Sequence, residues 1–231
     1  MGKTKKIVLF IVEGVTEQIA LEGILSNLSP DGVRFKITNG DITSNIRSNE
    51  TNIIKTVYNH VVGYIEREYI KKSDILQIVQ LIDTDGAYID DEYVIQKDGS
   101  DPAKSMFKNY YTPYNIEASD PVKMRLRNKK KSSLMNKLYI CNSVAGIPYR
   151  AYFFSCNMDC VLHNNANMDN ESKINYAYNF SNKFCEQPQA FIEFISQDII
   201  AVSDTYTETW KYVQQEKNSL KRCSNFHLHF Q

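Results

Sequence analysis

Four carboxylates in this chain stand at or just beyond the ends of apolar runs, and that placement makes them candidates for chemistry. Glu13 follows Ile7 to Val12, Asp83 and Asp85 follow Ile75 to Ile82, and Asp159 comes soon after Tyr149 to Ser155. In an extended strand end, Asp83 and Asp85 project to the same side, so both can approach one cation. Hard divalent ions take oxygen ligands and keep open, water-filled positions. Such an ion can polarise a phosphoryl oxygen and generate hydroxide, and two ions about 4 Å apart would stabilise the attacking and leaving oxygens together. The spacing therefore points to Glu13, Asp83, Asp85 and Asp159 around Mg²⁺ or Mn²⁺, with phosphodiester chemistry as the expectation.

A second feature is basic. Lys123, Arg125, Arg127, Lys129, Lys130 and Lys131 crowd one short run, with Lys137 beyond it, in a chain whose 27 basic and 27 acidic side chains cancel. Any polyanion site must then be local. Read blandly, the run is a solvated loop; beside a phosphodiester site it becomes a backbone clamp, because lysine and arginine gain affinity by releasing condensed counterions. Tyr110, Tyr111 and Tyr114 are weak candidates for stacking on bases, since most of the 15 tyrosines and 11 phenylalanines must serve packing. His163 reads as structural, and His227 and His229 as strand residues in a tail that, with Cys223, lacks a zinc spacing.

The elements that must position these residues alternate. Lys6 to Val12 is a continuous apolar run suited to a strand buried on both faces. Ile19, Leu21, Ile24, Leu25 and Leu28 then recur at helical spacing until Ser29-Pro30-Asp31-Gly32 stops the chain. Val33 to Thr38 reads as a second strand, Ile53 to Ile70 as a second helix, and Ile75 to Ile82 as a third strand. Strands alternating with helices predict an α/β fold, a Rossmann-like, mostly parallel sheet flanked by helices. In such a sheet ligands bind beyond the carboxyl ends of the strands, where the acids stand.

From Ala87 to about Pro148 the rhythm is lost, and the stretch reads as an excursion carrying the basic run. Tyr149 to Ser155 returns to strand character, followed by helices around Glu171 to Phe184, Gln189 to Ile195 and Thr207 to Leu220. The organisation predicted is a single domain over 1–231, with its core at about 5–86 and 149–165, an insertion at about 87–148 and a helical part at about 166–231. Composition, 42% hydrophobic and 23% charged, argues against disorder. No apolar run approaches the roughly 20 residues of a membrane span, and the charged opening Met1 to Lys6 before a short apolar segment does not read as a signal peptide. The five cysteines form no CxxC pair, so neither a disulfide framework nor a zinc site is suggested; a reduced, cytoplasmic protein is expected.

Ile11-Val12-Glu13-Gly14-Val15-Thr16-Glu17 followed by Leu81-Ile82-Asp83-Thr84-Asp85 resembles the Glu-Gly and Asp-x-Asp motifs of the Toprim domain, found in primases, topoisomerases and several nucleases. The Glu-Gly-x-Thr-Glu form, and Tyr152 to Asp159 with Leu162-His163 beyond, are most similar to OLD-type nucleases and the small RloB-like proteins of phage defence. The resemblance covers roughly 5 to 165, apart from the basic excursion. It implies Glu13 as general base or metal ligand, Asp83 and Asp85 as the metal pair, and Glu17 as a further acidic ligand, although Glu17 equally suits a favourable charge in a first helical turn. Asp159 stands where relatives often carry Glu, in a shortened context, and a helix N-cap is the alternative. The catalytic lysine of OLD-type nucleases has Lys217 and Lys221 as candidates, with Lys221 the nominal choice. No Walker A pattern is present, so the resemblance implies a separately encoded ATPase partner; DNA or RNA, including tRNA, is the expected substrate, and a homodimer the expected form of a nuclease cutting both strands.

Two rivals remain at this level. Asp83-Thr84-Asp85-Gly86 fits the opening motif of haloacid-dehalogenase-type phosphatases, but it does not lie on the first strand and the distal Gly-Asp-x-x-x-Asp pattern is missing. A calcium loop over Asp83 to Val94 fails because Ala87 and Val94 occupy ligand positions. A non-catalytic module that binds nucleic acid or a partner would carry the same acids.

Overall fold

The computed structural model describes residues 6–45 and 47–231; residues 1–5, whose charge bears on the signal-peptide reading, lie outside the described residues. In chain order the elements are β1 (Lys6–Val12), α1 (Val15–Asn27), β2 (Val33–Asn39), α2 (Ile53–Arg67), β3 (Ile75–Asp83), β4 (Val94–Gln96), α3 (Pro102–Ser105), β5 (Asn109–Tyr111), β6 (Ile116–Ala118), α4 (Pro121–Tyr139), β7 (Ser143–Val144), β8 (Ile147–Phe154), α5 (Met158–His163), α6 (Asn170–Cys185), α7 (Pro188–Ile195) and α8 (Tyr206–Val213). The chain divides into two compact units. Met1–Ile82, Leu134–Tyr152 and Tyr176–Phe194 make the first; Asp83–Ser133, Phe153–Asn175 and Ile195–Gln231 make the second.

The first unit is built on a sheet of order β2-β1-β3-β8-β7, in which β1 runs parallel to β2 and β3 and the short β7 is antiparallel to β8. This is the α/β architecture expected. Leu9, Phe10 and Ile11 are each 0% exposed, as are Ile78 and Val79. Successive residues of a strand face opposite sides, so both faces of the sheet are covered, and unbroken apolar runs are the sequence such strands require. Burying each of these side chains contributes about 1.5 to 3 kcal/mol. Gln80 is a buried polar residue within β3, and the Tyr149 hydroxyl of β8 donates to its Oε1 at 2.7 Å, which satisfies that oxygen. Phe180 and Phe184 of α6 meet Phe191 and Phe194 through ring contacts of 4.8 to 6.1 Å.

The second unit carries a small sheet of order β4-β6-β5, with β4 parallel and β5 antiparallel to β6. Val94, Ile116 and Ala118 form its core with Ile89, Met124 and Leu220. Elsewhere in the unit Trp210 of α8 packs edge-on against Phe153 with ring centroids 5.1 Å apart.

Three expectations are corrected here. The basic run is no loop: it lies on α4, whose residues Met124, Asn128, Lys131, Met135 and Leu138 recur at helical spacing and are all buried. The helix expected over Thr207 to Leu220 ends at Val213; Glu216 takes φ +47 and Asn218–Leu220 form a 3-10 turn instead. Its carbonyls are needed elsewhere, because Ser155 donates to Asn218 O while Thr84 and Cys156 donate to Ser219 O. His227 and His229 lie in the 3-10 turn Phe226–His229, not in a strand. No described helix is long and apolar enough to cross a membrane.

Candidate functional site

In the first unit, β1 and β3 are neighbouring parallel strands with Ile11 opposite Gln80, so their carboxyl ends leave the sheet at one edge. Glu13 follows β1 there, and its Oε1 accepts from the Thr43 hydroxyl at 2.9 Å. Glu17 occupies the first turn of α1, and Thr16 Oγ1 donates to its Oε2 at 3.1 Å. That carboxylate folds over Gly14, where a Cβ would stand 2.6 Å from Oε2. Glycine at this position lets the acidic side chain lie against the N-terminus of the helix, the favourable place for a negative charge.

In the second unit, the chain leaving β3 enters a turn of unusual backbone. Asp85 has φ +48, Gly86 φ +64, and Cys156, whose carbonyl accepts the Asp85 N–H at 2.5 Å, has φ +57. A positive φ at a non-glycine residue costs free energy and persists only where surrounding structure imposes it. Here the imposing contacts are the Thr84 N–H on Phe154 O, the Thr84 hydroxyl on Ser219 O and the Cys156 N–H on Ser219 O. Gly86 has no substitute, since a Cβ would fall 2.6 Å from Leu220 Cδ2 and 2.9 Å from Ile116 Cδ1. Asp83 Oδ1 accepts the Met158 N–H at 2.9 Å, which ties the first acid to the start of α5.

The Asp85 carboxylate lies between two cations of α4. Arg127 donates to its Oδ2 and, at 3.1 Å, to its carbonyl; the Lys131 ammonium stands 2.5 Å from the same Oδ2. Lys131 is 1% exposed, while the Asp85 and Arg127 side chains keep 16% and 29% of their surface, so the cluster is rooted on a buried cation and open to solvent at its rim. Burial by itself would raise the Asp85 carboxyl, but the Arg127 guanidinium and Lys131 ammonium outweigh it and hold the group below the usual carboxylate value. Asn128, on the same helical face, donates to Gly86 O at 3.4 Å. The Tyr111 phenol is pushed strongly upward, first by burial and then by the negative charge of Asp85.

The basic residues thus divide. Arg127 and Lys131 turn inward to Asp85, and Arg125 is structural, donating to the Asp91 and Val94 carbonyls at 2.9 and 2.8 Å. Lys131 is therefore corrected from a surface clamp to a core cation. Lys123 and Lys129 are exposed, and Lys130 is half-buried. Asp159 sits in the first turn of α5, but the cap is Asn157, whose Oδ1 accepts the Cys160 N–H at 2.8 Å. The Asp159 carboxylate pairs with Lys173 at 2.8 Å. Of the C-terminal lysines, Lys221 donates to Asn218 Oδ1 at 2.7 Å and Lys217 stands over the Tyr93 ring, so the lysine on the Asp-x-Asp motif is Lys131. The sequence held a signal for it: Asn128 and Lys131 interrupt the apolar stripe of α4, and a polar residue on a buried stripe must have a partner.

Carboxylate oxygens are the donors that Mg²⁺ and Mn²⁺ take. As they stand, however, no group of three His, Cys, Asp or Glu side chains among the described residues could hold a metal ion, and Asp85 already carries two cations. The donor set in this arrangement does not fit such an ion. What it offers is a fixed carboxylate, Asp83, beside a carboxylate that orients a guanidinium and an ammonium. No family model, curated protein or solved structure matches the chain.

Proposed function

We propose that the chain is a Toprim-like nuclease that hydrolyses nucleic-acid phosphodiester bonds. One observation carries the reading: Asp85, in a left-handed turn just beyond β3, is held against Arg127 and the buried Lys131 beside the anchored Asp83. Burying the Lys131 ammonium costs several kcal/mol, and an apolar residue of like volume would stabilise a core equally well. Clusters of this kind, with imposed backbone conformations, are concentrated at functional sites. Asp85 acts as the anchor that aims Arg127 and Lys131, whose positive charge favours the extra negative charge of a phosphate under attack. In this reading Asp83, anchored through the Met158 N–H, is the acid that accepts a proton from water.

Glu13 enters the proposal on its motif, as general base or ligand, and Glu17 as its accompanying acid. The Mg²⁺ or Mn²⁺ requirement implied by the resemblance enters as an assay condition, and no step is routed through the ion. A separately encoded ATPase, a homodimeric form, cytoplasmic action and a role in phage defence belong to the same proposal, carried by the resemblance alone.

The test is cleavage of plasmid DNA, single-stranded DNA and bulk tRNA in Mg²⁺, in Mn²⁺ and in EDTA. Wild type is compared with Asp83→Asn, Glu13→Gln and Lys131→Met, each shown to be folded. Cleavage by wild type that falls at least a hundredfold in Asp83→Asn supports the proposal and names the substrate. Cleavage by both Asp83→Asn and Lys131→Met at the wild-type rate would refute it.

A further inference from the structure

The guanidinium that pairs with Asp85 also lines a cavity of about 260 Å³, whose other walls are Lys108, Asn109, Asp120, Lys123 and Met124. All of these belong to the second unit. The cavity is assembled from the start of β5, the turn after β6 and the first two turns of α4. Its frame is fixed: Asn109 pairs with Ala118 across β5 and β6, and the Ser119 N–H and hydroxyl both donate to Lys108 O, at 3.0 and 2.7 Å. Asp120 Oδ1 accepts the Lys123 N–H at 3.0 Å, which caps α4, and its Oδ2 lies 3.0 Å from the Lys123 ammonium.

Three cations and one carboxylate line the cavity, with Arg127 paired to Asp85 and Lys123 to Asp120, in a chain whose formal net charge is zero. Lys123 is 82% exposed at its side chain and Lys108 is also exposed, so both ammonium groups meet solvent. The wall carries more positive than negative charge, so acidic ligands are drawn to it, and Arg127 joins it to the Asp-x-Asp turn.

We propose that this cavity is a backbone-phosphate site, in which Lys108 and Lys123 hold one phosphate of a nucleic-acid strand so that a neighbouring phosphodiester lies against Asp83 and Arg127. The inference rests on the nuclease reading for its substrate, yet adds residues which that reading does not need. Lys108 and Lys123 are binding residues with no part in bond cleavage. Their loss weakens strand binding, and the lost affinity shows as a lost dependence on salt, because each phosphate contact releases condensed counterions.

The experiment is fluorescence anisotropy of a labelled single-stranded 20-mer, DNA and RNA, titrated over a range of salt concentrations. The proteins are wild type, Lys108→Ala/Lys123→Ala, and Lys55→Ala as an exposed lysine on α2. The double variant should lose about 0.7 from the slope of log K against log salt, the value for one phosphate of a single strand, while Lys55→Ala follows wild type. A 20-mer with neutral methylphosphonate linkages should bind wild type and double variant alike. Equal slopes in wild type and double variant, or wild type that binds no strand at low salt, would overturn the site. If the slope falls as expected while no protein cleaves any substrate, the phosphate site stands and the hydrolase reading fails.

Discussion

Asp85→Asn is the substitution that the structure judges most severely. Asparagine keeps the shape of the side chain but removes the charge on which Arg127 and Lys131 converge. Lys131 is 1% exposed, so its ammonium keeps little access to water in place of the lost carboxylate. Breaking a buried ion pair by removing one partner costs about 3 to 5 kcal/mol, a large part of the roughly 5 to 15 kcal/mol that holds a domain folded. Lys131→Met placed on top of Asp85→Asn removes the buried one of the two uncompensated charges and fills its volume, while Arg127 keeps access to solvent, so the double variant should regain at least half of the loss. The carboxyl of Asp85 is held below its ordinary value of 3.8, so its contribution is complete above that value and is lost as pH falls through the lower folded one. The cost of Asp85→Asn is therefore full at pH 7 and shrinks progressively below about pH 3.8. Urea unfolding followed by the fluorescence of Trp210, the only tryptophan and one buried in the same unit, measures each term. A cost below about 1 kcal/mol at pH 7, or a double variant no more stable than Asp85→Asn, would refute the buried cluster.

Three further outcomes follow from the same geometry. Gly86→Ala forces a side chain into φ +64 and against Leu220 and Ile116, which should cost about 2 to 4 kcal/mol in the same assay. Native protein exposed to iodoacetamide should be modified at Cys141 and Cys185, which are partly accessible, while the buried Cys156, Cys160 and Cys223 react only after unfolding; mass spectrometry of the peptides decides this. Burial lowers His229 to about 4, so the unfolded chain takes up its proton first, and stability should fall as pH drops from about 6.5 toward 4. Thermal unfolding across that interval should be flatter in His229→Gln.

The sequence by itself determined the elements of the first unit. Apolar runs such as Lys6–Val12 and Ile75–Asp83 have one physical solution, a strand covered on both faces, and helical spacing with turn residues at Ser29 to Gly32 set the rest. It also put Glu13, Asp83 and Asp85 beyond strand ends, because that depends only on where the apolar runs stop. What it left undecided depends on partners distant in the chain. The basic run reads as a surface clamp until Lys131 is seen on Asp85, 46 residues away. Asp159 reads as a ligand or a cap until Lys173 claims its carboxylate and Asn157 takes the cap. A helix continues past Val213 on periodicity alone, yet the carbonyls of Asn218 and Ser219 are taken by Thr84, Ser155 and Cys156. Local propensity chooses an element when its own residues can satisfy it; where a buried charge or carbonyl must be satisfied by a group far along the chain, only the tertiary structure names that group.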